Sequence, residues 1–268
     1  MNRGQLREEI ARMLNVWVDR GAVAASPAPT ASAFGVAAFA TRTPAELVGK
    51  LLAMSSGTRI GQEQFIYSFD NSDQETVLRA ALTGAPAAAD TLEVYSAIGY
   101  TRINQAITNA INGARHHFLV AQTDQSITLV AATYEYTAPS GFAYISTINL
   151  EYETNKLGMA LPDDSWELTN VSGVAKLRIR HDWILNYTSK RLELRGQAYP
   201  TAPSADATAN PIPDAYVLAW ACFFLGAEMP LGQSDAGWRD RLNAWRQTTL
   251  DMIKTDAVPP FPGAKRVR

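Results

Sequence analysis

The hydrophobic period of this chain changes twice. Before His117 apolar residues recur every three to four positions, between His117 and Pro213 they alternate, and after Pro213 the wider spacing returns. A helix needs the first pattern and a half-buried strand the second, so neither region can adopt the other's structure without exposing its apolar side chains. The order is therefore helices, a β block, then helices.

Leu6, Ile10, Met13, Leu14 and Trp17 form the first helical stripe, which ends near Gly21. Residues 22–40 are rich in Ala, Ser, Thr and Pro and have no period; Pro27 and Pro29 exclude a helix, so the stretch reads as an extended or mobile loop. Thr43-Pro44-Ala45-Glu46 carries a hydroxyl cap, Pro at the first helical position and Glu three residues after the cap. It predicts a helix with Leu47, Val48, Leu51 and Leu52 on one face. Ser72-Asp73-Gln74-Glu75 repeats that logic ahead of Val77, Leu78, Ala81 and Leu82. Between them, residues 64–69 have strand character. The strongest helix covers about residues 101–118, with Ile103, Ala106, Ile107, Ala110, Ile111, Ala114 and Phe118 on one stripe.

In the β block, residues 127–129 and 142–152 are rich in β-branched and aromatic residues, 176–180 and 191–195 alternate, and Pro139-Ser140-Gly141, Pro162-Asp163-Asp164, Ser172-Gly173 and Thr188-Ser189-Lys190 supply turns. A polar connector over residues 201–213 leads to a helix over 215–226 that is apolar nearly all round, hence buried. A loop over 230–235 precedes a last helix with Trp238, Leu242, Trp245, Thr249 and Met252/Ile253 on one face. The three prolines Pro259, Pro260 and Pro262 make the tail an extended arm.

These elements predict an α+β fold: a helical bundle built from N- and C-terminal helices (residues 1–117 and 213–257, with an irregular insertion at 16–99). An antiparallel β-sandwich or barrel-like domain (118–212) is inserted in it, and an extended C-terminal arm (258–268) follows.

The chemistry is sparse. No phosphate-binding loop, dinucleotide fingerprint or nucleophile elbow occurs. Cys222 is the single cysteine and lies in an apolar run, so it reads as a buried thiol, and no multi-Cys metal site exists. His116 and His117 are adjacent at a helix end and point apart; His181 precedes Asp182 with no activated nucleophile assignable to it. Glu151 and Glu153 share a strand face, the one carboxylate pair that would suit a hydrolase. Trp166, Trp183, Tyr134, Tyr136, Tyr144, Tyr152, Tyr187 and Tyr199 gather in the β block, either as core or as a sugar- or protein-binding face. No catalytic residue, cofactor or metal is assigned, and the expectation is a protein that is not an enzyme.

Charged residues are 19% of the chain against a usual ~25%, which fits a surface partly covered by partners. The formal net charge of −2 argues against a nucleic-acid coat. No apolar run approaches membrane-spanning length, and residues 1–10, with Arg3, Arg7, Glu8 and Glu9, do not read as a secretory signal.

The opening Met1-Asn2-Arg3-Gly4-Gln5-Leu6-Arg7-Glu8-Glu9-Ile10-Ala11-Arg12-Met13-Leu14 resembles the first helix of head-to-tail adaptor (connector) proteins of tailed bacteriophages. Ile103-Asn104-Gln105-Ala106-Ile107 is similar to their second helix, and Tyr136-Thr137-Ala138-Pro139-Ser140-Gly141-Phe142 to the turn that opens their β part. Leu192-Glu193-Leu194-Arg195-Gly196-Gln197-Ala198-Tyr199-Pro200 and Ile212-Pro213-Asp214-Ala215-Tyr216 resemble their last strand and Pro-led final helices. The stretch 16–99 is longer than the loop such proteins have there. The resemblance implies a virion neck protein, assembled in the host cytoplasm. Its copies would form a ring, commonly of twelve, that binds the portal and a tail or tail-tube protein and lets DNA pass without sequence-specific contact. It also implies partner binding by the C-terminal arm, here Pro259, Pro260, Phe261, Lys265, Arg266, Val267 and Arg268. Other virion roles (tail completion, decoration) and a carbohydrate-binding module on a helical base are the alternatives.

Overall fold

The computed structural model describes residues 1–153, 156–229, 236–261 and 263–267, and these divide into two compact units. The first comprises Met1–Ile111 and Ala202–Asp251, the second Asn112–Thr201 and Met252–Arg268.

Helix α1 (Arg3–Met13) forms on the first part of its stripe but ends at Met13, not near Gly21, and Trp17 lies in the strand that follows. The Asn2 side chain accepts from Gln5 N and the Gln5 side chain from Asn2 N, both at 2.9 Å, so two otherwise orphaned N–H groups are satisfied. The chain then departs from expectation. It forms six short strands: β1 (Trp17–Ala22), β2 (Ala33–Gly35), β3 (Leu51–Met54), β4 (Glu63–Asp70), β5 (Glu75–Leu78) and β6 (Thr91–Tyr95). They pair in the order β1-β6-β3-β4-β5-β2, antiparallel throughout. Strands β3 to β5 are hairpin neighbours and β6 returns beside β3, a Greek-key arrangement. An antiparallel bridge between Val23 and Val36, with Ala24 N donating to Gly35 O at 2.8 Å, joins the two outer strands. The sheet thereby closes into a barrel and leaves no free edge at that seam. Phe34, Val36, Phe39, Leu52, Met54, Ile66, Leu92 and Val94 fill it.

The expected bundle with an inserted β domain is therefore wrong. The fold is mostly β, in three antiparallel sheets among the described residues. The error lies in residues 16–99. The stretch 22–40 is not a loop: it carries β2, and Phe34, Val36 and Phe39 are fully buried. The Thr43 capping box is real, with Thr43 N donating to Glu46 at 2.7 Å, but its helix α2 (Pro44–Leu47) is one turn long. Gly49, at φ +79°, turns the chain into β3. Ser72 and Glu75 start no helix. Asp70 accepts from the Ser72 N–H and hydroxyl at 2.8 and 2.7 Å, building a β4–β5 hairpin turn.

Three long helices appear as read: α3 (Tyr100–Ala114), α5 (Asp214–Glu228) and α6 (Ala236–Thr255). The expected 230–235 loop lies outside the described residues. Gly226 lets α5 and α6 approach, since a Cβ there would stand 2.7 Å from Leu242 Cδ2. Arg7 clips this unit together. It is fully buried and makes paired hydrogen bonds to Glu93 at 2.7 and 2.8 Å and to Asp206 at 2.8 and 2.6 Å. Its guanidinium stacks 4.0 Å over the Tyr100 ring.

The second unit contains two antiparallel sheets. One runs β10 (Lys156–Ala160), β9 (Phe142–Glu153), β13 (Leu192–Ala198), β7 (Val120–Asp124), with β14 (Lys265–Arg266) also on β9. The other runs β11 (Trp166–Val171), β12 (Val174–Ile179), β8 (Glu135–Thr137). Ile145, Ile148, Leu150, Leu192 and Leu194 of the first share a core with Trp166, Leu177 and Ile179 of the second and with Ile184 of α4 (His181–Asn186). Ser172 and Gly173, at φ +54° and +83°, form the two-residue β11–β12 loop. Among the described residues no helix is long and apolar enough to cross a membrane.

Candidate functional site: the C-terminal arm and its cradle

The arm implied to bind partners lies along its own β unit. Val258 N donates to His117 O at 2.7 Å, and Val258 forms a parallel bridge with Phe118. Next comes a two-pronged clamp: Gln197 Nε2 donates to Pro259 O at 3.1 Å, and Phe261 N donates to Gln197 Oε1 at 2.9 Å. Gln197 is 1% exposed, and a buried amide is tolerated there because both its ends are bonded. Gly263, at φ +76°, then turns the chain, and Lys265 and Arg266 pair with Ile145 and Tyr144 of β9. β10 pairs β9 only along Asn149 to Glu153, so β14 covers an edge that would otherwise be open.

Two side chains lock the register. Lys265 Nζ donates to the Asp163 and Trp166 carbonyls at 2.7 and 2.6 Å and stands 3.8 Å over the Trp166 ring. Burial holds its pKa below the usual lysine value, against the pull of Asp163 and other nearby carboxylates. Val267 packs on the β-unit core, and its N–H donates to Ala143 O at 2.9 Å. Pro259, Pro260, Phe261 and Arg266 face solvent, Phe261 at 47% exposure. Arg268 lies outside the described residues.

The other candidates separate. Glu151 is buried and paired with Arg191 at 3.1 Å, whereas Glu153 is exposed and paired with Lys156 at 2.5 Å. Each carboxylate thus serves a different cation. His116 packs edge-on against Tyr199 at 4.9 Å, His117 contributes its carbonyl to the arm, and His181 stacks on Tyr134 at 5.3 Å. Cys222 is fully buried, and burial, with the nearby Glu9 charge, pushes its thiol up to about 12. Trp166 is core; Trp183 and Tyr187 stack on each other at 5.6 Å beside it. Among the described residues no cluster of three or more His, Cys, Asp or Glu could hold a metal ion. The cradle residues Gln197, Asp163 and Ala143 escaped sequence reading. Two of them act through main-chain carbonyls, which leave no mark on side-chain identity.

Compared with known proteins, the chain matches no family model and no curated protein.

Proposed function

We propose that this protein is a structural part of a tailed-phage virion, a head-to-tail adaptor whose copies form a ring between portal and tail and extend the DNA channel. The observation that carries this reading is the arm. It is held by backbone pairing of Lys265 and Arg266 on the edge of β9, the mode by which extended segments add to a sheet, and by the Gln197 side chain, which bonds the peptide groups of Pro259 and Phe261. It also presents Pro259, Pro260, Phe261 and Arg266 outward, an apolar strip with a positive charge for a partner to cover. The segments similar to adaptor proteins support the same reading: they form α1, α3, the turn before β9, β13 and the start of α5. With −2 per chain a ring would be mildly acidic, so a passing phosphate backbone is repelled rather than held.

The test is reconstitution with the portal protein encoded in the same genome. Electron microscopy should show rings of this chain capping portal particles, and a chain truncated after Ala257 should cap far fewer. A full-length chain that stays monomeric by native mass spectrometry and leaves portals bare overturns the reading. Binding to another virion part instead would favour a tail-completion or decorating role.

A further inference from the structure

Independently of the arm, the β unit holds a cleft of about 610 Å³ at one end of the β11-β12-β8 sheet, within the roughly 300–1,000 Å³ range of small-molecule sites. Tyr134, Trp166, Arg178, Arg180, Asp164 and His181 are among the residues that line it. We propose that this cleft is a binding site for a neutral oligosaccharide.

Three features of the cleft point to that class. The first is its aromatic wall. Tyr134 and His181 are stacked at 5.3 Å with their planes 30° apart, so His181 supports one face of a tyrosine that is 37% exposed, and an exposed aromatic face is what packs on the C–H face of a pyranose. Backbone bonds fix this wall: Ile179 N donates to Tyr134 O and Arg180 N to Ser165 O, both at 2.9 Å. The second is the polar rim. Arg180 stands 3.7 Å from Asp164 and 3.5 Å from Asp182, at or beyond the limit of a good hydrogen bond, so its planar donors are placed but weakly engaged. Arg178 is instead held firmly by Glu135 and Glu167, each through its Oε1. Guanidinium and carboxylate groups side by side are the donors and acceptors that adjacent hydroxyls need. The third is balance. Asp164 and Glu167 offset Arg178 and Arg180, so the lining carries no net charge to favour an anion such as a nucleotide, or a cation.

The full-length chain should bind neutral oligosaccharides on a glycan array, with affinity then measured by isothermal titration. Tyr134→Ala and Arg180→Gln should each weaken binding roughly tenfold or more, one lost contact of about 1.4 kcal/mol, with far-UV circular dichroism and melting temperature unchanged. Arg180→Gln is the safer variant for folding, because among the described residues its guanidinium makes no hydrogen bond or ion pair shorter than 3.5 Å. Tyr67→Ala, a 69% exposed tyrosine of the barrel, should change nothing. The proposal is overturned by an array without neutral-glycan binding, by binding that survives both cleft variants, or by selective capture of nucleosides or charged glycans.

Discussion

Arg7 carries its charge at zero solvent exposure, and the paired bonds to Glu93 and Asp206 make that tolerable. Burial alone would pull the guanidinium pKa down, but the bonds to these two carboxylates raise it instead. Burial alone would raise the Glu93 carboxyl, but hydrogen bonds and charge from Arg7, with help from Tyr95 and Arg20, hold it below the usual range. Arg7→Met takes the paired donor from a carboxylate that is 1% exposed, leaving it Arg20 and Tyr95, and should cost roughly 3 kcal/mol in urea unfolding. The Glu93 contribution has a defined pH sign. A depressed carboxylate stabilises fully above its unfolded value near about 4.3 and loses that stabilisation as the pH falls through the folded value. Wild-type stability should therefore drop below about pH 4.3, and the drop should be shallower in Glu93→Gln. Equal slopes in the two proteins would show that Arg7 does not depend on Glu93 ionisation.

At the scale of elements, Gln197 and β14 form one device. Gln197→Ala removes both clamp bonds, and amide exchange across residues 143–145 should speed up while that of β11 and β12 stays slow. Unchanged exchange would mean that Lys265 and Val267 suffice to hold the arm. The longer elements are legible in the sequence: α3, α5 and α6 fall where the spacing places them, and β9 and β13 are strands, although Asn149, Glu151 and Glu193 are buried where alternation would put them on a wet face. The barrel is not legible. Its strands are three to eight residues long, and Leu47, Val48, Leu51 and Leu52 mimic a helical face while belonging to a single turn and the strand after it. A correct cap at Thr43 strengthened the wrong reading, because a cap marks where a helix starts and not how long it lasts. The arm's prolines predict extended backbone, and Pro259 and Pro260 are separated from the strand at Lys265 and Arg266 by a turn at Gly263. The arm's docking is hidden because the cradle lies some sixty to a hundred and forty positions away in the chain, and pairing between distant segments leaves no local period.

For the whole molecule, two units with separate cores should melt separately. Gly196 offers a handle on the second: an alanine Cβ would sit 2.0 Å from Tyr144 O, where β13 crosses β9 at a bulge. Gly196→Ala should lower one calorimetric transition, by about 1–3 kcal/mol, and Arg7→Met the other. A single transition moved by both would mean the units unfold as one. The cradle carries a further consequence. It grips Pro259 and Phe261 by their peptide groups and tests side chains only at Lys265 and Val267. It therefore measures distance along the chain rather than spelling. One residue added between Phe261 and Lys265 would swing lysine and valine to the opposite side of the strand. Exchanging the residues at 259–261 for others of extended habit would go unnoticed by the cradle and felt only by whatever touches the arm from outside.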